Sequence, residues 1–221
     1  MIRALSARTE FLLVVLVAFG YFIFASVLTL FYPSPQPPIS EGGLQFLLFY
    51  EICIITLLWS FLRYRGWSLR GLGLVPSGRD TLYGFGLTAA VYAFNIGIWL
   101  FASVVANTAA QEAARVELVA PHLNLLTVVL VSLLNPLFEE LFVCGYVISS
   151  VGARRGGWTA INVSVAIRLA YHLYQGSIAV LTIIPVGLLF GIWYARTRRL
   201  WPVVVAHTLI DLLALIGFAG N

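Results

Sequence analysis

Residues 124–150 read NLLTVVLVSLLNPLFEELFVCGYVISS: 27 residues in which Glu139 and Glu140 are the only charges. About 20 apolar residues cross the hydrocarbon core of a bilayer as a helix, so this stretch is long enough to span one. Adjacent carboxylates near the middle of such a run are costly to bury, and an ionisable group inside a span is a functional-site hypothesis by default. Two later apolar runs carry His172 and the pair His207/Asp211. Five ionisable groups on three late spans suit chemistry or ion movement better than inert filling of a bilayer.

The rest of the chain agrees. Of 221 residues, 61% are hydrophobic and 10% charged, and the mean hydropathy is +0.95. Soluble domains are nearer a quarter charged. The apolar runs are continuous rather than alternating, which favours helices over a barrel. The expected fold is therefore all-α, a polytopic helical membrane bundle in one domain over 1–221. Seven spans are expected, at about 11–32, 44–62, 81–106, 124–150, 158–175, 177–195 and 200–219. The run that begins at Phe11 is longer than a signal-peptide core and reads as a retained span. Pro33–Pro38 is a stiff connector, and no internal repeat is evident.

The net charge of +4 comes wholly from arginine, since the chain has no lysine. The arginines are scattered between spans without forming a basic face, so no nucleic acid is expected as a partner; the bilayer is. They alternate. Arg3 and Arg8 precede the first span; Arg63, Arg65, Arg70 and Arg79 follow the second. Arg154 and Arg155 follow the fourth, and Arg196, Arg198 and Arg199 the sixth. The loop after the third span holds Arg115 against Glu112 and Glu117. By the positive-inside rule the N-terminus is inside and the C-terminus outside, in a plasma (cytoplasmic) membrane. Cys53 and Cys144 lack metal or disulfide spacing and read as small buried hydrophobes.

At ~1.5 Å per residue, Glu139 lies roughly 22 Å from Arg154, His172 roughly 25 Å from Arg155, and Asp211 roughly 18 Å from Arg199. The groups can meet at one level. The pairs Glu140/Cys144, Arg168/His172 and His207/Asp211 are each i,i+4 and share a helix face. Glu139 and Glu140 point about 100° apart on a regular helix. A carboxylate in a partly dry cavity can take a proton from water and return it, an imidazole can share that water, and a second imidazole can stabilise an oxyanion. Glu139, His172 and His207 could equally hold Zn2+ with an open position. Spacing leaves both versions open, along with a proton relay or small transporter. There is no HExxH and no GxSxG.

Three stretches carry a family resemblance. Phe138-Glu-Glu-Leu-Phe-Val-Cys-Gly-Tyr146 resembles the EExxxR motif of the CPBP intramembrane proteases, which include type II CAAX prenyl endopeptidases and abortive-infection (ABI) proteins. Arg168-Leu-Ala-Tyr-His172-Leu-Tyr-Gln-Gly176 resembles their FxxxH motif, and Arg199-Leu-Trp-Pro-Val-Val-Val-Ala-His207-Thr-Leu-Ile-Asp211 their HxxxN/D motif. The family-like core covers about 124–221, with a weak extension at Leu69–Leu74. The resemblance implies an intramembrane endopeptidase acting on a peptide or protein tail, prenylated in the CAAX case. It assigns water activation to Glu139 with His172, an orienting role to Glu140, and oxyanion stabilisation to His207 and Asp211. The family is described both as metal-dependent and as glutamate-type; the reading here leans to the latter. Two positions depart from the pattern: the arginine of EExxxR is Cys144, and the phenylalanine of FxxxH is Arg168. Arg168 is expected either to reach Glu140 and replace the missing charge, or to clamp Glu139 and leave a non-catalytic scaffold or immunity protein. Cys144 as a nucleophile has no motif position behind it. Glu51 is read as lying near the outer interface or pairing with a neighbour. Asn95, Asn135 and Asn162 are read as interhelical hydrogen-bonding groups, and Gly187-Leu-Leu-Phe-Gly191 as a packing face.

Overall fold

The computed structural model describes residues 5–32, 39–105 and 122–219. The Pro33–Pro38 connector, Arg3, and the loop with Glu112, Arg115 and Glu117 lie outside them. The described residues form helices α1 (Ala7–Phe31), α2 (Glu41–Tyr64), α3 (Gly78–Val105), α4 (Leu125–Glu139), α5 (Ser149–Arg155), α6 (Gly157–Tyr171), α7 (Ser177–Thr197) and α8 (Trp201–Leu215). A π-helical segment, Glu140–Ile148, joins α4 to α5. The architecture is an all-α bundle. Five of the rods are long and apolar enough to cross a membrane: α1, α2, Gly78–Ile98, Leu125–Arg155 and Trp201–Phe218. α6, with 15 residues, is shorter than the expected fifth span.

Serine and asparagine start several of these helices. Ser6 accepts from the Thr9 N–H, Ser40 from the Gly43 N–H, and Asn124 from the Leu126 N–H, each satisfying a free amide of a first turn. The rod Leu125–Arg155 is the axis of the bundle. Phe138, Phe142, Val143, Tyr146 and Val147 on it are fully buried. α1, α2, α6 and α8 pack around it, and α3 packs on α8. The outer faces carry exposed Leu16, Phe24, Phe49, Leu57 and Phe94. A lipid-facing surface has this character, since hydrocarbon solvates such side chains without penalty.

The arginine-rich ends meet. Glu10 accepts from Arg65 Nε (2.5 Å), Trp67 Nε1 (2.9 Å) and Tyr146 Oη (3.2 Å), and Arg199 pairs with Asp80 at 2.7 Å. Gly73 brings a second link. Its carbonyl accepts from the Leu200 N–H at 2.9 Å, and its φ is +75°. A Cβ there would lie 2.0 Å from the Arg198 carbonyl oxygen, so only glycine fits. The opposite ends meet as well. Glu41 accepts from Thr127 Oγ1 (2.6 Å) and from the Asn124 N–H (3.0 Å). Leu44, Leu123, Val128, Val131 and Leu215 form a small apolar cluster beside it. The alternation expected from charge is thus present as contacts.

Some expectations need correcting. Cys53 is exposed, and only Cys144 is buried. Asn162 is exposed on α6, off the helix interfaces. Asn95 Oδ1 is buried with no hydrogen-bond partner among the described residues. The Gly187/Gly191 face does pack. Added Cβ atoms would lie 3.3 Å from Val165 Cγ2 and 3.1 Å from Ile161 Cγ2, so the two glycines let α7 approach α6 closely.

Candidate active site

The site forms where the central helix changes its winding. Pro136 lies inside α4. It has no N–H to donate, and its ring crowds the preceding turn. Four residues on, the winding widens to π, a feature frequent at functional sites. Glu139 is the last α-helical residue and Glu140 the first π-helical one. Both are buried, Glu140 completely.

Arg168 arrives from α6 and is 2% exposed. Its Nη2 donates to both Glu140 oxygens at 2.7 Å, and its Nη1 to Glu139 Oε2 at 3.3 Å. Both expectations for this arginine are therefore met in geometry: it takes Glu140 with the shorter bonds and touches Glu139 with the longer one. Cys144, where the family pattern has arginine, is fully buried against Glu140 and Arg168. Gly187 on α7 makes room for the arginine stem, since a Cβ would stand 3.4 Å from Arg168 Cδ.

Glu139 has its two oxygens in different surroundings. Oε2 accepts from Tyr171 Oη at 2.6 Å and from Arg168. Oε1 lies 3.9 Å from His172 Nε2 and 3.5 Å from Asn135 Nδ2. His172 is not within α6, as the expected span to 175 required. The helix ends at Tyr171, His172 has φ −106°, and a 3₁₀ turn, Leu173–Gln175, follows to Gly176 at φ +67°. Gln175 Nε2 stands 3.2 Å from His172 Nδ1. The amide can only donate there, which leaves the ring proton on Nε2, towards Glu139.

His207 lies between two carboxylates. Its Nδ1 is 2.7 Å from Glu140 Oε1, and its Nε2 is 3.4 Å from Asp211 Oδ1. Glu139, Glu140, Arg168, His172, His207 and Asp211 thus share one centre, although α4, the π segment, α6 and α8 supply them separately.

Sequence reading missed one group: Tyr171 sits beside His172 within a quoted motif, and its hydroxyl could have been weighed as a donor. Glu51 of α2 is fully buried and pairs with a neighbour, the second of the two expectations for it. Its Oε1 accepts from Asn135 Nδ2 at 2.7 Å, and its Oε2 has no partner among the described residues. Asn135 lies one turn before Glu139, so its placement was readable; that of Glu51, some 85 residues upstream of it, was not.

Ligand atoms of Glu139, Glu140 and His207 lie within 4.8 Å of one another. On Glu140 this donor set is already engaged: the Arg168 guanidinium holds both its oxygens, and Nδ1 of His207 faces the same carboxylate. A zinc with three protein ligands would have to draw on Glu139, His172 and Nε2 of His207.

Residues 121–213 match the model of the type II CAAX prenyl endopeptidase Rce1-like family. Over this segment the chain is similar to that family. The match contains every member of the centre except Glu51, and it does not reach Leu69–Leu74. No curated protein and no solved structure matches the chain. The chain is thus an integral membrane protein similar over this segment to the Rce1-like CAAX proteases, with Cys144 at the motif-arginine position and Arg168 of α6 on the motif carboxylates.

Proposed function

We propose that the chain is an intramembrane endopeptidase that hydrolyses a peptide bond with a water activated by Glu139 and His172, without a metal. The observation that carries this is the 3.9 Å gap between Glu139 Oε1 and His172 Nε2. It is too long for a direct hydrogen bond and suits one bridging water. The other Glu139 oxygen is anchored by Tyr171 and Arg168, and Oε1, held among the described residues only by the 3.5 Å bond from Asn135 Nδ2, faces the gap.

In this reading the water oxygen attacks the carbonyl carbon while its proton passes to Glu139. The carbonyl oxygen becomes an oxyanion. His207 Nε2 is the donor left for it, because its 3.4 Å contact with Asp211 is looser than the 2.7 Å bond on Nδ1. The C–N bond then breaks and Glu139 returns its proton to the leaving amine. Arg168 supplies the counter-charge that keeps Glu140 seated against His207. Substrates in keeping with the family are a prenylated CAAX tail, a small peptide precursor or a membrane protein's tail, reached from the cytoplasmic side.

One observation favours a second reading. Arg168 Nη1 also touches Glu139, as a non-catalytic scaffold would have it. Cleavage of tail peptides by the purified protein in lipid vesicles separates the two. Glu139→Gln and His172→Ala should each lower the rate by roughly 10²–10⁴, measured on the folded fraction, and a zinc chelator should leave the rate unchanged. Cleavage by Glu139→Gln at the unaltered rate would sink the proteolytic mechanism, and inhibition by the chelator would sink its metal-free form.

A further inference from the structure

A groove of about 590 Å³ opens at the arginine-rich end, lined by Arg8, Phe11 and Leu12 of α1, Val151, Arg154 and Arg155 of α5, and Val163 of α6. It is remote from the catalytic centre. Its lining is layered. Arg8, Phe11 and Leu12 are spaced i, i+3, i+4, and so are Val151, Arg154 and Arg155, so each set presents one helix face. On both helices the arginines stand at the end and the apolar residues one turn, about 5 Å, deeper. Among the described residues no carboxylate lines it. The nearby Glu10 is already taken by Arg65, Trp67 and Tyr146. Arg8 and Arg155 are exposed. Below Leu12 the apolar lane continues one turn along α1 to Leu16, and these two are 65% and 71% exposed.

We propose that this groove binds the phosphate headgroup of an anionic phospholipid, with an acyl chain along Leu12 and Leu16. The charge is complementary: three arginines line one groove at the end of the bundle, where a bilayer presents phosphate, and although Arg154 Nε donates to the Ser150 carbonyl, its terminal nitrogens remain for a phosphate. The layering is complementary as well, because cations sit at the mouth and hydrocarbon below, in the order of a lipid. Basic pockets between membrane helices take anionic headgroups for this reason. A lipid there bridges α1 to α5, the direct continuation of the π segment that carries Glu140. Binding therefore braces the rod on which the catalytic carboxylates stand.

The test uses the full-length protein in phosphatidylcholine vesicles with and without phosphatidylglycerol, reading the thermal midpoint and the lipid retained in native mass spectrometry. Phosphatidylglycerol should raise the midpoint and be retained. Each arginine contributes about fivefold in lipid affinity, so Arg154→Gln/Arg155→Gln should lose about 25-fold. Arg63→Gln/Arg70→Gln removes two exposed arginines from the same end but outside the groove, and should leave retention unchanged. Equal loss from both double variants would reduce the effect to general surface charge and overturn the site, as would retention of phosphatidylcholine equal to phosphatidylglycerol. Inorganic phosphate should not displace the lipid; displacement would show a phosphate site without a lipid component.

Discussion

Arg168 is the residue on which this centre depends, and replacing it with the phenylalanine of the family pattern gives the sharpest test. Its guanidinium is 2% exposed and holds Glu140 with two 2.7 Å bonds and Glu139 with a 3.3 Å one. In Arg168→Phe, Glu140 keeps His207 as a partner, and Glu139 keeps Tyr171 and Asn135. Removing one partner of a buried ion pair costs about 3–5 kcal/mol, because the other charge stays behind unpaired. Cys144 is fully buried against the same carboxylate, so a cation placed there should restore the balance. The double variant Cys144→Arg/Arg168→Phe should recover at least half of the loss, with a coupling energy of about 1 kcal/mol or more in the double-mutant cycle. Cys144→Arg alone should also be unstable, because it overpacks a filled core by about 1–3 kcal/mol. Denaturation in mixed micelles measures all four proteins, and peptide cleavage follows on those that fold. If Arg168→Phe lost less than ~1 kcal/mol, or the double variant were no better than the single, the idea that one arginine has changed places would be wrong.

Two further predictions concern groups the motifs omit. Asn135→Leu leaves the buried Glu51 carboxyl without its 2.7 Å donor and should cost about 1–3 kcal/mol in micelle denaturation, most of it regained in Asn135→Leu/Glu51→Leu, where both polar partners are gone; a double variant as unstable as the single would show that the pair is not what matters. Tyr171→Phe removes the 2.6 Å bond to Glu139 Oε2 and should cost about 1.5–3 kcal/mol as a bond to a charged group, with a fall in kcat rather than a rise in KM; unchanged kcat would remove Tyr171 from the machinery.

The Rce1-like match covers residues 121–213, the segment that carries the motifs. It does not reach the three helices that precede it, and there the tertiary contacts add most. α1 brings Glu10 to Tyr146 of the π segment and lines the basic groove, and α2 brings Glu51 to Asn135. The centre is thus supported also by helices outside the matched segment.

Apolar run length and composition were enough to read the all-α bundle, and the ionisable groups inside apolar runs to pick out the candidate residues. Those properties are local: burial in lipid demands a helix wherever some 20 apolar residues occur together, and charge sorts its ends. The winding of the central rod was not local in that sense. The change to π-helix after Pro136 turns Glu139 and Glu140 to one guanidinium, where a regular helix would set them about 100° apart. The helix end at Tyr171, which turns His172 towards Glu139, depends on the turn at Gly176. Above all, the partner of Arg168 could not be read from spacing, since the arginine sits 28 residues from Glu140 and 29 from Glu139. Only the packing of α6 on the π segment, at the distance that Gly187 and Gly191 allow, decided that it holds both.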